Sequence, residues 1–112
     1  MIKIEAIIRP EKLDEVKNAL GLLGVNGMTV TEVEGVGKQP AQSRLYRGQE
    51  FTVDLLPKIK IELVISDEKK DAVIDEIIKV ARTKEVGDGK IFVSTVSEVY
   101  RIRTGEAGVQ AI

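Results

Sequence analysis

Hydrophobic residues occupy every second position at the start of the chain and then change to a helical spacing. From Ile2 to Ile8 every second residue is apolar, with the charged residues of this stretch between them. This period of two predicts a strand with one buried face. Pro10 then opens a stretch with acidic residues in its first turn, and apolar residues from Leu13 to Leu23 recur three or four positions apart. Proline in the first turn and this spacing predict an α-helix that ends at glycines 24 and 27.

The same change of period recurs in the rest of the chain. β-branched residues in 28–33 predict a second strand, and apolar residues at the odd positions of 59–65 predict a third. A stripe of valine, isoleucine and alanine in 73–81 predicts a second helix. The glycines of 87–89 interrupt the chain before 91–96, which has the composition of a fourth strand.

The resulting order is β-α-β-β-α-β, which is that of the ferredoxin-like split βαβ fold. We therefore predict an α+β chain of one domain, 1–112, with two helices on one face of an antiparallel sheet. The opposite sheet face is half apolar, because it combines Ile7 and Val64 with Thr29, Thr31 and Glu62. An exposed face of that kind predicts self-association.

A long segment between the second and third strands, 35–56, shows neither a helical nor an alternating period. A loop of this length is uncommon in a compact domain unless it has a function. We therefore predict a functional loop over about 37–55, with a flexible linker as the alternative.

Composition narrows the chemistry that the chain can perform. It contains no cysteine and no histidine, which excludes disulfides, thiol nucleophiles and most zinc sites. Its net charge is -1, so no overall positive charge favours nucleic acid, and the aromatic platforms of an RNA-recognition sheet are missing. No apolar run has the length of a membrane span, and the first residues alternate like a strand, so we expect a cytoplasmic protein.

Two segments besides the loop could bind an anion. In 83–90, closely spaced glycines would let backbone N–H groups approach an anion beside Lys90, although Asp-Gly before a strand is also an ordinary turn. In 100–105, Arg101 and Arg103 would share one face of an extended segment and converge on the same phosphates, or else form a solvated charged face. The residue pattern leaves both alternatives open.

Taken together, these segments resemble the PII signal-transduction proteins, which integrate nitrogen, carbon and energy status. The resemblance covers the whole chain and is most specific in 83–96, in 101–106 and in 57–62. It implies a homotrimer with the sheets facing inward, and a regulator that is not an enzyme. It also implies that ATP or ADP binds in clefts between neighbouring subunits.

The nucleotide-binding residues are implied by the same resemblance. One side of the nucleotide would be lined by Thr29, Gly35, Gly37, Lys38, Glu62 and Val64. The phosphates would be held by Gly87, Asp88, Gly89 and Lys90, and would also be reached across the subunit boundary by Arg101 and Arg103.

Two further ligands are implied to act with the nucleotide. Gln39, which also belongs to the nucleotide site, would bind a Mg²⁺ ion that chelates 2-oxoglutarate. Lys58 would pair with the distal carboxylate of 2-oxoglutarate, with Gly87 beside it. A hard cation between phosphate and 2-oxo acid oxygens needs only one or two protein oxygens, so the absence of histidine is no obstacle.

The long loop corresponds to the loop through which the family contacts its partners. The residues that would face a partner are Arg44, Tyr46, Arg47, Gln49 and Phe51. Family partners include ammonium transporters and nitrogen-metabolism enzymes or regulators, and an ammonium transporter is the first expectation. Contact with a membrane would then be made only through a protein partner.

Four loop residues depart from the pattern of the family. Phe51 stands where many bacterial members carry a uridylylated or adenylylated tyrosine, and Gln49 stands where cyanobacterial members carry a phosphorylated serine. Neither modification is therefore expected at these positions. Lys38 stands where arginine is frequent and Pro40 where lysine is frequent, which changes the phosphate contact and stiffens the loop. The alternative functions are a nitrogenase-type regulatory subunit and a small ATP-hydrolysing enzyme.

Overall fold

The computed structural model describes residues 1–37 and 55–112 in full, together with the backbone of two strands, 42–46 and 49–53. Its strands are β1 (Ile2–Ile8), β2 (Thr29–Gly35), β3 (Gln42–Tyr46), β4 (Gln49–Val53), β5 (Leu56–Ile65) and β6 (Lys90–Thr95). Its helices are α1 (Leu13–Leu22) and α2 (Lys70–Ala81). Short 3-10 turns, Pro10–Lys12 and Asp67–Lys69, precede the two helices, and a third, Val109–Ala111, lies near the C-terminus.

The main sheet has four strands in the order β2-β5-β1-β6, and each neighbouring pair is antiparallel. Ile4 of β1 lies opposite Leu63 on one side and Val93 on the other. This arrangement confirms the ferredoxin-like prediction, including the long connection between the second and third strands of the main sheet. The strand order also brings the chain after α2 back to the edge beside β1, where the segment 83–90 lies.

One face of the sheet and the two helices enclose an aliphatic core. In β1 and β5 the residues at alternate positions are buried, as the period of two predicts. Completely buried side chains include those of Ile4, Val16, Leu20 and Ile61. Every side chain that is buried in the described ranges is hydrophobic. Burying one such side chain completely contributes roughly 1.5–3 kcal/mol, so this layer is the main source of stability.

The opposite sheet face carries an ion-pair network at its centre. The ammonium of Lys3 lies 3.0 Å from Glu5 and 3.3 Å from Glu62, and Lys60 lies 3.1 Å from Glu62. Phe92 lies opposite Glu5 on this face and is exposed. This face therefore combines polar and apolar side chains, as predicted. It carries more charged side chains than we predicted.

The long connection contains a second, two-stranded sheet. β3 and β4 pair antiparallel, from Gln42 opposite Val53 to Tyr46 opposite Gln49. We did not predict this ribbon, because its pairing rests on backbone hydrogen bonds and leaves no apolar period in the sequence. No helix in the described ranges is long and apolar enough to cross a membrane.

Candidate functional site: an anion loop and an open cleft

The segment 83–90, which we call the anion loop, connects α2 to β6 and is organised around the carboxylate of Asp88. One oxygen of Asp88 accepts hydrogen bonds from the backbone N–H groups of Thr83, at 2.8 Å, and Lys84, at 2.9 Å. The other oxygen accepts from the Thr83 hydroxyl and, at 3.0 Å, from Nε of Arg9. These four bonds give the loop its shape.

Arg9 joins the anion loop to the end of β1. Besides its bond to Asp88, its guanidinium donates to the carbonyl of Val86 at 2.8 Å. The side chains of Arg9 and Asp88 are only 14% and 24% exposed, so their ion pair is partly shielded from water. Arg9 therefore fixes the loop at two points from a position 79 residues away in sequence.

The hydrogen bonds around Asp88 also fix its charge. The Thr83 hydroxyl, above all, together with the N–H groups and Arg9, lowers the pKa of Asp88 well below its usual value, although burial acts in the opposite direction. Asp88 is therefore ionised at neutral pH. A phosphate group would be repelled by this carboxylate, so a contact of Asp88 with phosphate would have to use its backbone N–H and not its side chain.

Glycine at position 89 brings the anion loop against β1. Gly89 has a φ of +103°, and a Cβ built on it would lie 1.7 Å from the carbonyl oxygen of Ile7. Only glycine allows this approach. In the described part of the chain, the N–H groups of Gly87, Asp88 and Gly89 have no acceptor. Three free N–H donors beside the exposed Lys90 fit an anion such as a phosphate.

Two further predicted residues lie beside this loop. The ammonium of Lys58 donates to the carbonyl of Gly87 at 2.7 Å. A Cβ on Gly35 would lie 3.6 Å from Cγ of Lys58, so β2 also ends near this point. Partial burial and the nearby charge of Arg9 lower the pKa of Lys58. The structure thus brings Gly35, Lys58 and the anion loop together at one end of the sheet.

Three other predicted residues line a separate cleft of about 770 Å³, which we call the open cleft. Thr29, Glu62 and Val64 line it from the sheet, and Val99 and Val109 line it from the C-terminal segment. Hydrogen bonds from Lys60 and then Lys3 lower the pKa of Glu62, so its carboxylate is charged. The lining of the cleft is about equally polar and apolar, and such a mixture can hold an aromatic ring that carries hydrogen-bonding atoms.

The C-terminal segment carries Arg101 and Arg103 on a turn. The predicted extended conformation is wrong, because Gly105 donates to the Arg101 carbonyl at 2.7 Å and Tyr100 pairs with Ala107. The guanidinium of Arg101 donates to the carbonyl of Gln110 at 2.9 Å. Arg103 is exposed and has no ion-pair partner in the described part of the chain.

The open cleft and the anion loop are far apart in one chain. Thr29 and Gly35 are six positions apart on β2, and so are Lys58 and Val64 on β5. Six residues of a strand span about 20 Å. Within one chain, Thr29, Glu62 and Val64 therefore lie about 20 Å from the end of the sheet that carries Gly35 and Lys58.

Part of the predicted site falls on residues that the structure does not describe. Lys38, Gln39, Pro40 and Arg47 lie outside the described residues. The side chains of Arg44, Tyr46, Gln49 and Phe51 also lie outside them, although these residues belong to the described backbone of β3 and β4. Gly37 lies at the end of the described stretch and is exposed.

Sequence reasoning missed Arg9 and Thr83 as members of the site. Arg9 is separated from the anion loop by most of the chain, and its position before Pro10 reads as the start of a helix. Thr83 looks like an ordinary residue after a helix. A threonine five residues before Asp-Gly is a weak signal that the threonine hydrogen-bonds to this aspartate. The contact between Arg9 and Asp88 is visible only in the fold.

Comparison with known proteins gives one consistent result. The family model described as Nitrogen regulatory protein P-II matches residues 1–106. The chain is similar to Nitrogen regulatory protein P-II of Rhizobium meliloti (strain 1021), with 59% identity over 112 residues that cover 100% of both chains. Its identity to Nitrogen regulatory protein P-II 2 of Methanothermobacter thermautotrophicus is 58% over 112 residues, which are 100% of this chain and 97% of the relative. Nitrogen regulatory protein P-II of Nostoc punctiforme is 57% identical over 112 residues, with 100% coverage of both chains.

Proposed function

This chain belongs to the P-II family of nitrogen regulatory proteins, and from this membership we propose that it is a homotrimeric cytoplasmic sensor of ATP and ADP. P-II proteins are signal transducers and not catalysts, which agrees with our prediction that the chain is not an enzyme. Regulation of nitrogen metabolism is the function of the family. The ligands, the assembly and the target are our proposals for this member.

The observation that carries the nucleotide proposal is the geometry of the anion loop. Its N–H groups at 87–89 have no acceptor in the described part of the chain, and Gly89 leaves no space for a side chain where the loop meets β1. Backbone N–H groups beside a lysine bind phosphate without any titratable base. The residues present therefore fit the phosphates of ATP or ADP, with Lys90 supplying a positive charge.

The separation of the two halves of the site supports a site shared by two chains, and membership of the P-II family supports a trimer. The phosphates would lie on the anion loop of one subunit, while the adenine would lie in the open cleft of its neighbour. Val99 and Val109 line the open cleft from the C-terminal segment, so Arg101 and Arg103 of the same segment would reach the phosphates across the boundary. The mixed polar and apolar sheet face would be covered by the other subunits.

A carbon-sensing function is supported by Lys58. Its ammonium lies beside the anion loop, where it could pair with the distal carboxylate of 2-oxoglutarate. Mg²⁺ would be held by the nucleotide phosphates and Gln39, and it would supply the charge that binds the 2-oxo acid group. A ligand that binds one loop conformation better than another shifts the population toward that conformation.

We propose that the loop over about 37–55 transmits this shift to an ammonium transporter or to another protein of nitrogen metabolism. Phe51 has no hydroxyl and Gln49 cannot be phosphorylated on its side chain, so ligand binding would control the loop without covalent modification at these positions. Intact-mass measurement of the protein from nitrogen-starved and nitrogen-fed cells tests this. A nucleotidyl or phosphoryl adduct on the loop would contradict it.

Calorimetry tests the ligands directly. ATP and ADP are titrated into the protein with Mg²⁺, and 2-oxoglutarate is then titrated with and without MgATP. We expect both nucleotides to bind and 2-oxoglutarate to bind only when MgATP is present. If neither nucleotide binds, the sensor proposal is wrong. If ATP binds and 2-oxoglutarate does not, the energy-sensing function remains and the carbon-sensing function is lost.

A further inference from the structure

The free N–H groups of the anion loop depend on a network of residues that do not themselves face the ligand. We call Arg9, Thr83, Lys84 and Asp88 the Asp88 network. Four donors from these residues converge on the two oxygens of one carboxylate, from Thr83 twice, Lys84 and Arg9. Each carboxylate oxygen of Asp88 therefore already accepts two hydrogen bonds from the protein itself.

The network forces an unusual backbone conformation. Lys84 has a φ of 71°, and it is the single non-glycine residue of positive φ in the described ranges. This conformation costs a residue with a side chain roughly 1–2 kcal/mol. It turns the N–H groups of Thr83 and Lys84 toward the same oxygen of Asp88, and the Thr83 hydroxyl also accepts from the N–H of Glu85 at 3.1 Å. The donors of 83–85 are thereby directed into the loop.

Because the N–H groups of 83–85 bond inside the loop, the N–H groups of 87–89 are left facing outward. The N–H groups of 83–85 are satisfied, whereas those of Gly87, Asp88 and Gly89 have no acceptor in the described residues. Arg9 holds the carbonyl of Val86, and Lys58 holds that of Gly87. The Val86 carbonyl shares a peptide unit with the N–H of Gly87, and the Gly87 carbonyl shares one with the N–H of Asp88, so these contacts restrict the rotation of both units. The same contacts that close the loop therefore orient its free donors.

We propose that Arg9, Thr83 and Asp88 are positioning residues, which set the orientation of the N–H groups at 87–89 before an anion binds. This proposal rests on the proposed binding of nucleotide phosphates at the anion loop. It assigns Asp88 a role in phosphate binding that its negative charge alone opposes. Pre-orientation of the donors lowers the ordering cost of binding.

Removing the charge of Asp88 distinguishes a residue that only lies near the phosphates from one that positions the donors, because the two roles predict opposite changes in ATP affinity. If Asp88 only lies near the phosphates, Asp88→Asn removes repulsion and ATP binds more tightly. If Asp88 positions the donors, the same variant loses bonds that the amide cannot replace, and ATP binds about tenfold more weakly, as for the loss of a charged hydrogen bond. Calorimetry with MgATP on the full chain distinguishes these outcomes. Asp75→Asn, which removes an exposed carboxyl on α2, is the matched control.

A pair of variants at Thr83 gives a second test that does not change charge. Thr83→Val keeps the shape and removes the hydroxyl, whereas Thr83→Ser keeps the hydroxyl. We expect weaker ATP binding for Thr83→Val and near-normal binding for Thr83→Ser, with both proteins folded by circular dichroism. Equal binding by the two variants, or tighter binding by Asp88→Asn, overturns the proposal.

The loop can also be observed without nucleotide. Amide resonances of Gly87 and Gly89 in a ¹⁵N-labelled protein report their conformation directly. We expect both to shift or broaden in Thr83→Val and to keep their positions in Asp75→Asn. If they do not move in Thr83→Val, Thr83 is not a positioning residue. This readout remains valid if wild-type protein fails to bind ATP, so failure of the sensor proposal and failure of the positioning proposal are distinguishable.

Discussion

At the scale of single residues, the site depends on close contacts that allow one residue type only. Gly89 lies against the Ile7 carbonyl at a distance that excludes any Cβ, and its φ of +103° is one that side chains disfavour. Asp88 is equally constrained, because its oxygens accept from a side-chain hydroxyl, two N–H groups and a guanidinium. Both residues determine the course of the loop backbone through contacts within the chain.

Replacing Gly89 should destabilise the fold as well as the loop. Gly89→Ala places a Cβ inside the Ile7 carbonyl, so β1 or the loop must move, and we expect a loss of about 1–3 kcal/mol in the free energy of unfolding. Urea denaturation measures it. Gly27→Ala is the control, because nothing lies within 4 Å of a Cβ there, and it should change stability by at most about 0.5 kcal/mol. Equal stability of the two variants would show that β1 and the loop separate easily.

The ionisation of Asp88 links the loop to pH. Because the pKa of Asp88 is lowered in the folded protein, its charge stabilises the fold at neutral pH. That stabilisation is present above the unfolded pKa of about 3.9 and is lost as the pH falls toward the folded pKa. We therefore expect Asp88→Asn to be less stable than wild type at pH 7, by a margin that shrinks below about pH 4. Denaturation at several pH values checks this, and a margin independent of pH would contradict it.

At the scale of elements, those with a regular apolar period or a run of β-branched residues were predictable, and those without such a pattern were missed. β1, β5 and α2 each contribute a regular apolar stripe to the core, so their period is visible in the sequence. The ribbon of β3 and β4 is defined by its backbone pairing, and its sequence shows no apolar period. The turn at Arg101 depends on a bridge between Tyr100 and Ala107, and no local period encodes that contact.

The candidate site likewise has features that the sequence indicates and features that only the fold shows. The closely spaced glycines of the anion loop fit either an anion site or an ordinary turn, so the residue pattern alone left both open. The part played by Arg9 could not be predicted, since its contacts with Asp88 and Val86 exist only after β1 and β6 have paired. Separation of the site into two halves also required the strand register.

Helix α2 offers a test of the packing that supports this arrangement. Ile77 is 1% exposed, whereas Ile78 on the neighbouring face is 38% exposed. Ile77→Ala leaves a cavity beneath the sheet and should cost about 2–5 kcal/mol. Ile78→Ala removes a side chain that is already partly in water and should cost less than half as much. Similar losses for both would mean that α2 packs with a different face.

At the scale of the whole molecule, the proposed nucleotide site needs two chains. The anion loop with Lys90 belongs to one half, and the turn with Arg103 belongs to the other. In a homotrimer of Lys90→Ala chains every site lacks the lysine, and in a homotrimer of Arg103→Ala chains every site lacks that arginine. ATP binding should be weakened in both.

Mixing the two variants distinguishes a shared site from a site within one chain. In a trimer that contains both variants, one of the three interfaces combines an intact Lys90 with an intact Arg103. We therefore expect unfolding and refolding of a mixture to restore tight ATP binding at up to one site per mixed trimer. No recovery, in mixed trimers verified by native mass spectrometry, would show that Lys90 and Arg103 of the same chain serve the same site.

The contact between Gly89 and Ile7 also restricts which substitutions can be accepted at position 89 during evolution. A side chain at position 89 would clash with the backbone of β1. No compensating substitution can relieve this clash, because every residue at position 7 has the same backbone carbonyl. Lys84 adopts a left-handed conformation as well, but its side chain is exposed, so exchange with glycine or asparagine meets no obstacle. In an alignment of homologues we therefore expect position 89 to be fixed while position 84 varies.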